Sequence, residues 1–575
     1  MRYPPPTLVP ILRYPRIDLN MISCAHRLLA GIGCSILATF FTAAPIYTQT
    51  VGGQWERLIT IHGQPNDDGL GRAVSSAGDV DGDGIPDVIV GAKFSEAGGS
   101  PEQGSAYIYS GATGSLLWQF HGLHWYHHFG DSVSGADDVD GDGFDDVIVG
   151  AAGGWSTIGY ASVYSGATGN LIWRIEGWTT SVSGAGDIDK DGFDDFMVGA
   201  LGYSGGSQTG SAYVYSGASG RLLWQFDGEA PNDRPGIAVS EAGDVDGDGC
   251  PDVIVGAFLA DGWSSAALIY SGATGNLIWQ FVGPDPLDLF GGSVSGAGDV
   301  DGDGFDDVIV GAEKAHPGHL TNAGSTYIYS GASGGLIWQF DGRSSWGAMG
   351  TSVSGAGDVD GDGFDDVIVG APGVPIGPRV YAGSAFIFSG ATGSLLSRFN
   401  GPESWDGLGI SVSGAGDING DGLDDVIVGA SGVDYPGSGY AGSTYIGSLN
   451  PFLHTEVHQI SYAGSNALQL TLDFPTSEAG LPFMVLFSRD GTGPSVFQGL
   501  AIPLTQDSVF LRFLDNPNLQ GVLDASAQAQ RDLHLHHRTP PGAIGYQVHV
   551  AAVTLDPSTQ AGRMSSIVRY VEIVP

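Results

Sequence analysis

Four carboxylates recur at spaced positions in the stretch Asp138-Val139-Asp140-Gly141-Asp142-Gly143-Phe144-Asp145-Asp146, and an apolar run, Val147-Ile148-Val149-Gly150-Ala151, follows at once. The stretch occurs seven times, with its first Asp at 79, 138, 187, 244, 299, 358 and 417. Carboxylates at positions 1, 3, 5 and 9 of a curled loop can turn toward one centre, and a backbone carbonyl at position 7 can join them. An all-oxygen set suits a hard cation. Calcium takes about six to eight oxygens in adaptable geometry, whereas magnesium demands a strict octahedron and keeps its waters. Soft metals find no thiolate–imidazole set in these loops. The opening resembles an EF-hand loop, but the Glu due at position 12 is replaced in the first copy by Val90, inside a strand-like run. An EF-hand and its helices are therefore excluded. The plain alternative is seven solvated acidic turns.

A motif recurring every 50 to 60 residues or so is one architecture repeated. Each repeat carries four short β-like pieces, in the second copy Ser132–Ala136, Val147–Val149, Ala161–Tyr164 and Leu171–Ile175. The acidic loop joins the first two. A tight turn, Ser165-Gly166-Ala167-Thr168-Gly169, joins the last two and recurs at 110–114, 216–220, 271–275, 330–334 and 389–393. Four antiparallel strands per unit predict propeller blades. The fourth piece is missing after Tyr445, yet Arg57–Gly63 aligns with Leu116–Gly122 ahead of the first repeat. The N-terminal strand is thus expected to complete the last blade, which closes the ring and removes two free edges. The predicted fold is all-β: a seven-bladed β-propeller with calcium-binding loops over residues 55–450, then a small β-sandwich-like C-terminal domain over 451–575.

Segments such as Phe129-Gly130 through Gly150-Ala151 resemble the FG-GAP repeats of the integrin alpha-subunit propeller, and repeats of secreted bacterial proteins are similar. The resemblance spans about 55–450. It implies calcium between the first and second strands of each blade, up to seven ions in all. By that match the ligands of the first loop are Asp79, Asp81, Asp83, Asp87 and the carbonyl of Ile85. Those of the second are Asp138, Asp140, Asp142, Asp146 and the Phe144 carbonyl. The third has Asp187, Asp189, Asp191, Asp195 and Phe193, and the fourth has Asp244, Asp246, Asp248, Asp252 and Cys250. In the fifth they are Asp299, Asp301, Asp303, Asp307 and Phe305, and in the sixth Asp358, Asp360, Asp362, Asp366 and Phe364. The seventh has Asp417, Asn419, Asp421, Asp425 and Leu423. Position 7 side chains are expected to pack into the blade, with Cys250 a small core residue. Asn419 removes a charge, and Lys190 at position 4 of the third loop brings an amine near, so both sites are expected to be weaker. The pattern also departs at the Phe-Gly pair, which becomes Leu70-Gly71, Met349-Gly350 and Leu408-Gly409, and in the third repeat, where only Trp178-Thr179-Thr180 remain ahead of the first strand.

Antiparallel order puts the acidic loops and the tight turns on one face. The links between strands two and three, and between blades, fall on the other. Those links vary in length and carry His124, Trp125, Tyr126, His127, His128, Trp155, Trp178, Asn232, Asp233, Arg234, Trp263, Trp346, Trp405, Asp406, Asp434 and Tyr435. Variable loops on a rigid scaffold are where recognition resides, and the resemblance implies a ligand on that face. The alternative for each residue is packing on a neighbouring loop. A histidine group at 121–128 can in principle hold a transition metal. The series Trp118, Trp173, Trp224, Trp279 and Trp338 has a fixed place in strand four, which points to blade packing.

The chain has 575 residues and a formal net charge of -42, with 63 acidic residues, of which about half lie in the seven loops. Such clustering repels itself without counter-cations, and it excludes a nucleic-acid partner, which needs concentrated Lys and Arg. Residues 1–20 are Pro-rich and fit a mis-assigned start or leader extension. Residues 21–44 fit a signal peptide: Arg27, the apolar run Leu28–Phe41, then Thr42-Ala43-Ala44. The run is short for a membrane span, so no transmembrane span is expected after cleavage. Of three cysteines, Cys24, Cys34 and Cys250, cleavage would leave Cys250 alone, so packing and metal must hold the fold. Past Pro451 come alternating strands around Leu468–Phe474, Val509–Phe513, Tyr546–Val550 and Ile567–Val574, with His534, His536 and His537 among them. The expected protein is an exported, extracellular or cell-surface adhesion module that binds protein or glycan. An extracellular hydrolase or lyase is the rival, though no Ser-His-acid spacing, phosphate loop or zinc helix supports it. A purely structural surface protein is the third reading.

Overall fold

In a computed structural model, the described residues are 54–450, apart from 64–68, 97–98, 155–157, 201–209, 229–233, 259–264, 286 and 433–440, together with the backbone of strands beyond 450. The two leader segments, Trp155, Asn232, Asp233, Trp263, Asp434, Tyr435, His536 and His537 lie outside them. Seven four-stranded antiparallel sheets make the propeller. Blade 2 shows the plan: Phe129–Asp137, Asp146–Ala151, Tyr160–Tyr164 and Leu171–Glu176, in that order across the sheet. The first strands of the seven blades touch in cyclic succession, with that of blade 7 (Ser411–Gly416) against that of blade 1 (Ala73–Gly78). The ring is closed as expected. Gln54–His62 pairs antiparallel with Ser443–Asn450 and supplies the outer strand of blade 7.

Each second strand is a buried Asp-Val-Ile-Val-Gly-Ala run or a close variant, sandwiched between sheets, which is why both of its faces are apolar. Adjacent blades meet through layers such as Ile89, Ile108, Phe120, Phe129, Val147 and Val149. Two glycines explain the repeat spelling. A Cβ on Gly91 would lie 2.1 Å from the Gly130 carbonyl oxygen, and one on Gly130, at φ 83°, would lie 2.3 Å from the Ser105 carbonyl oxygen. The Gly of Val-Gly-Ala and the Gly of Phe-Gly thus sit back to back between blades. Blade 3 lacks that Gly: Thr179 takes its place, with Cγ2 3.1 Å from where a Gly150 Cβ would be. Its upper link is cut short, while its four strands are complete.

The strand-four tryptophans pack blade on blade, as their fixed place predicts. Trp118 Nε1 donates to the Gly166 carbonyl of the next blade at 2.7 Å, and Trp173, Trp224, Trp279 and Trp338 repeat the bond onto Gly217, Gly272, Gly331 and Gly390. Blade 6 has Ser397 at this place. Its neighbour, blade 7, draws its outer strand from the N-terminus and so has no such turn to bond.

Beyond Asn450 the described residues are again strands, including Pro482–Ser488 paired with Gln547–Leu555 and Ala467–Asp473 paired with Gln528–His534. No helix of the described residues is long and apolar enough to cross a membrane.

Candidate metal centres

The acidic loops link first and second strands, and their carboxylates fold them. In blade 2, Asp138 Oδ1 accepts the amides of Gly141 (2.7 Å) and Asp142 (3.0 Å), and its Oδ2 accepts that of Gly143 (2.9 Å). Asp140 Oδ1 accepts from Asp142 (3.2 Å), and Asp142 Oδ1 from Phe144 (3.1 Å). Position 9 anchors the loop to the rest of the blade. Asp146 Oδ2 accepts the amides of Val139 (3.0 Å) and Asp140 (3.2 Å), while Oδ1 accepts that of Gly166 in the tight turn (2.9 Å). Six blades repeat the bond from turn glycine to position 9. All seven position 9 carboxylates are fully buried.

This architecture brings three of the predicted carboxylates together in each of five loops. Oxygens of Asp79, Asp81 and Asp87 lie within 4.8 Å of one another, as do those of the trios Asp138/Asp140/Asp146 and Asp187/Asp189/Asp195. In blades 4 and 5 the trios are Asp244/Asp246/Asp248 and Asp299/Asp301/Asp303. Burial pushes the carboxyl of Asp87 up to about 6 and those of Asp146, Asp195, Asp252 and Asp307 up to about 7, and adjacent carboxylates add to the effect. Asp366 is raised well above the ordinary value for the same reason. In blade 1 Asp79 Oδ1 is buried without a partner. An orphan oxygen amid crowded carboxylates fits a divalent cation. Asn419 keeps the loop geometry, because its Oδ1 accepts the Asp421 amide at 2.8 Å as an Asp would.

Two details differ from expectation. The Phe side chains at position 7 do not turn into their own blade, whereas Ile85 does, its Cγ2 lying 3.5 Å from where a Gly111 Cβ would be. The Phe144 ring lies over Gly82 of the preceding loop, and Phe193, Phe305 and Phe364 lie over Gly141, Gly247 and Gly302. A Cβ on Gly82 would come 2.4 Å from the Phe144 ring, so position 4 must be Gly wherever the next loop carries Phe. Lys190 occupies position 4 of loop 3, and the next loop accordingly has the small Cys250, whose Sγ donates to the Ile188 carbonyl at 3.1 Å. Burial pushes that thiol up, as suits an inert core residue.

Position 8 also has a role that the sequence left unassigned. Asp145 Oδ2 accepts the amide of Asp79 at 2.6 Å and so caps the first Asp of the preceding loop. Asp194, Asp306, Asp365 and Asp424 do the same for Asp138, Asp244, Asp299 and Asp358. Pro86 and Pro251 cannot. Near Pro251 a carboxylate comes instead from Glu241, whose Oε1 lies 3.2 Å from where a Gly186 Cβ would be. Burial, then Asp137 and Asp194, push Glu241 up to about 7.

A central channel of about 290 Å³ is lined by the first strands. Its serines were likewise unassigned. Ser132, Ser181, Ser293, Ser352 and Ser411 accept, through Oγ, the amides of Val182, Val239, Val353, Val412 and Val74 in the next blade at 3.0–3.2 Å. Ala73 and Ala238 interrupt this circle. The recurring Ser-Val-Ser spelling was the available signal.

On the opposite face, Trp125, Tyr126, Trp346 and Trp405 are exposed, at 63%, 48%, 55% and 58%. His127 and Asp406 are buried instead. His127 is edge-on to His124 (5.1 Å) and Tyr160 (5.3 Å), and Asp406 Oδ2 accepts the Glu403 amide. The other histidines of this group go elsewhere: His128 Nε2 to Glu102 at 3.0 Å, His121 Nδ1 to the Ser105 hydroxyl at 2.9 Å.

The molecule is thus a closed seven-bladed propeller with an acidic loop in every blade. The FG-GAP repeat family matches residues 70–109, 129–164, 178–215, 290–329, 349–388 and 408–446. Blade 4, with Pro235 in place of the Phe, Cys250 and Pro251, falls outside the match but has the same four strands. The chain is 31% identical to integrin alpha-5 of Xenopus laevis over 209 residues, 33% of this chain and 19% of the relative. It is 33% identical to integrin alpha-V of Gallus gallus over 207 residues, 33% of this chain and 20% of the relative. Its propeller belongs to the integrin alpha-like FG-GAP family. The chain spans about a fifth of the length of these curated relatives.

Proposed function

We propose that the chain is a calcium-loaded recognition module of the cell exterior, acting in adhesion through a protein or glycan ligand. The observation that carries this reading is the division of labour between the two faces. One face repeats a single acidic loop; the other presents links of differing length with exposed aromatic rings. Calcium would be held by the carboxylates at positions 1, 3, 5 and 9 and the carbonyl at position 7, with Asn419 in the seventh loop. It would supply charge compensation for carboxylates that otherwise repel. Likeness to integrin alpha subunits supports the adhesion reading, and residues 21–44 support export. The carboxylates are engaged in loop structure, which leaves a hydrolase or lyase without its paired acids, so a non-enzymatic role is favoured.

Two measurements test the proposal. Chelation by EGTA is expected to lower the thermal midpoint by 10 °C or so, with calcium restoring it; an unchanged midpoint and circular dichroism would remove the calcium role. A combined protein and glycan array is expected to give saturable binding. Its absence would leave the purely structural reading.

A further inference from the structure

Three bulky aromatic residues occupy one structural station on the variable face. Tyr126, Trp346 and Trp405 each stand three residues ahead of the residue that opens the Phe-Gly pair or its variant: Phe129, Met349 and Leu408. All three adopt left-handed backbone, at φ 57°, 65° and 72°. The same backbone bond holds each: their amides donate to the carbonyls of Pro101 (3.1 Å), Thr321 (2.7 Å) and Val380 (2.9 Å) in the strand two–three link of the preceding blade. Two residues on, the amides of His128, Ala348 and Gly407 bond Glu102, Asn322 and Tyr381. The first two of these residues are again left-handed, at φ 53° in both cases, as are Glu102, Asn322 and Tyr381. Left-handed backbone at a Trp or Tyr is unfavourable by roughly 1 kcal/mol or more, and it concentrates where a ligand is clamped. Nothing in the blade's packing requires these rings, since about half or more of each is exposed.

We propose that this station is a set of stacking platforms for a neutral polysaccharide, an assignment that rests on the recognition role of this face. The exposed aromatic groups are small and lie on links of different blades: Trp346, Trp125 with Tyr126, and Tyr381 with Trp405. Exposed Ser345 precedes Trp346, and exposed Glu403 and Ser404 precede Trp405. A protein partner needs a contiguous, desolvated apolar centre, whereas the C–H face of a pyranose matches one flat ring with polar groups at its rim to meet the hydroxyls. Trp405 is backed by Tyr381 in a stack at 4.8 Å and 20°, which fixes the ring plane. Net charge of -42 disfavours polyanionic chains. Platforms on blades 2, 6 and 7 suit a polymer, which gains avidity by touching several.

The test uses the full chain with calcium against cellulose, chitin, insoluble β-1,3-glucan and soluble mannan, by co-sedimentation and tryptophan fluorescence. Retention by at least one polysaccharide is expected. The triple variant Tyr126→Asn, Trp346→Asn, Trp405→Asn should weaken it at least tenfold. Asn tolerates left-handed backbone, so the variant should melt at or above the parent temperature, which separates lost binding from lost folding. Equal binding by the triple variant overturns the proposal. Retention by an immobilised extracellular protein but by no polysaccharide overturns the glycan assignment alone. Retention by neither overturns the binding role of the face as well.

Discussion

Asp146 and its six counterparts accept backbone amides from two or three directions in a space closed to water, so their protonation state couples to folding. With no cation, burial raises Asp87 and Asp425 to about 6 and Asp146, Asp195, Asp252 and Asp307 to about 7, against about 3.9 in an unfolded chain. A raised carboxyl favours the folded state below the unfolded value and loses that contribution as pH climbs through the folded one. In EGTA, urea unfolding is therefore expected to show lower stability at pH 8 than at pH 5, by more than about 1 kcal/mol. Calcium inverts the sign, because it holds the ionised form. Calcium titration should show affinity rising across the same interval; a flat profile would contradict the ligand assignment. The Lys190 and Cys250 pair gives a second residue-scale test. Cys250→Phe alone should destabilise, since Phe over position 4 requires Gly. Paired with Lys190→Gly it should recover, with a coupling of about 1 kcal/mol or more in a denaturation cycle.

At the level of elements, the first strands form a circular zipper that the spelling Ser-Val-Ser encodes. Its two gaps predict where stability can be gained. Ala73→Ser and Ala238→Ser would give the amides of Val133 and Val294 the partner that their counterparts have. Each is expected to add about 0.5–1.5 kcal/mol, and Ser411→Ala to remove about as much, by urea denaturation. If the serine variants prove neutral, channel water already satisfies those amides. The inter-blade tryptophans follow the same logic, each bonded to a turn of the next blade, and Ser397 stands where no turn exists.

For the whole molecule, closure depends on a strand from the far end of the repeat array. Gln54–His62 covers the edge of Ser443–Asn450. Deleting residues up to Gly63 is expected to leave that edge open, abolish a single cooperative thermal transition, and promote association in sedimentation velocity. A truncated chain that stays monomeric and melts in one step would mean that the ring does not need the latch.

The chain's own repetition determined the blade count, the strand order, the clustering of carboxylates in the loops and the offset that foretold closure, because each rests on local spelling repeated in phase. The acidic stretch alone announced the oxygen-rich clusters on which the proposed calcium sites rest. What crosses between blades was decided only in three dimensions. The Phe at position 7 sits on the glycine of the preceding loop, Asp145 caps Asp79 from another blade, and Ser411 meets Val74 across the closed ring. Each partner is some 60 or more residues away in sequence, and the register between neighbouring sheets, fixed by close backbone approaches such as Gly91 to Gly130, selects them. The same register gives Tyr126, Trp346 and Trp405, each three residues ahead of the Phe-Gly pair or its variant, one left-handed backbone conformation, which that spacing by itself does not reveal.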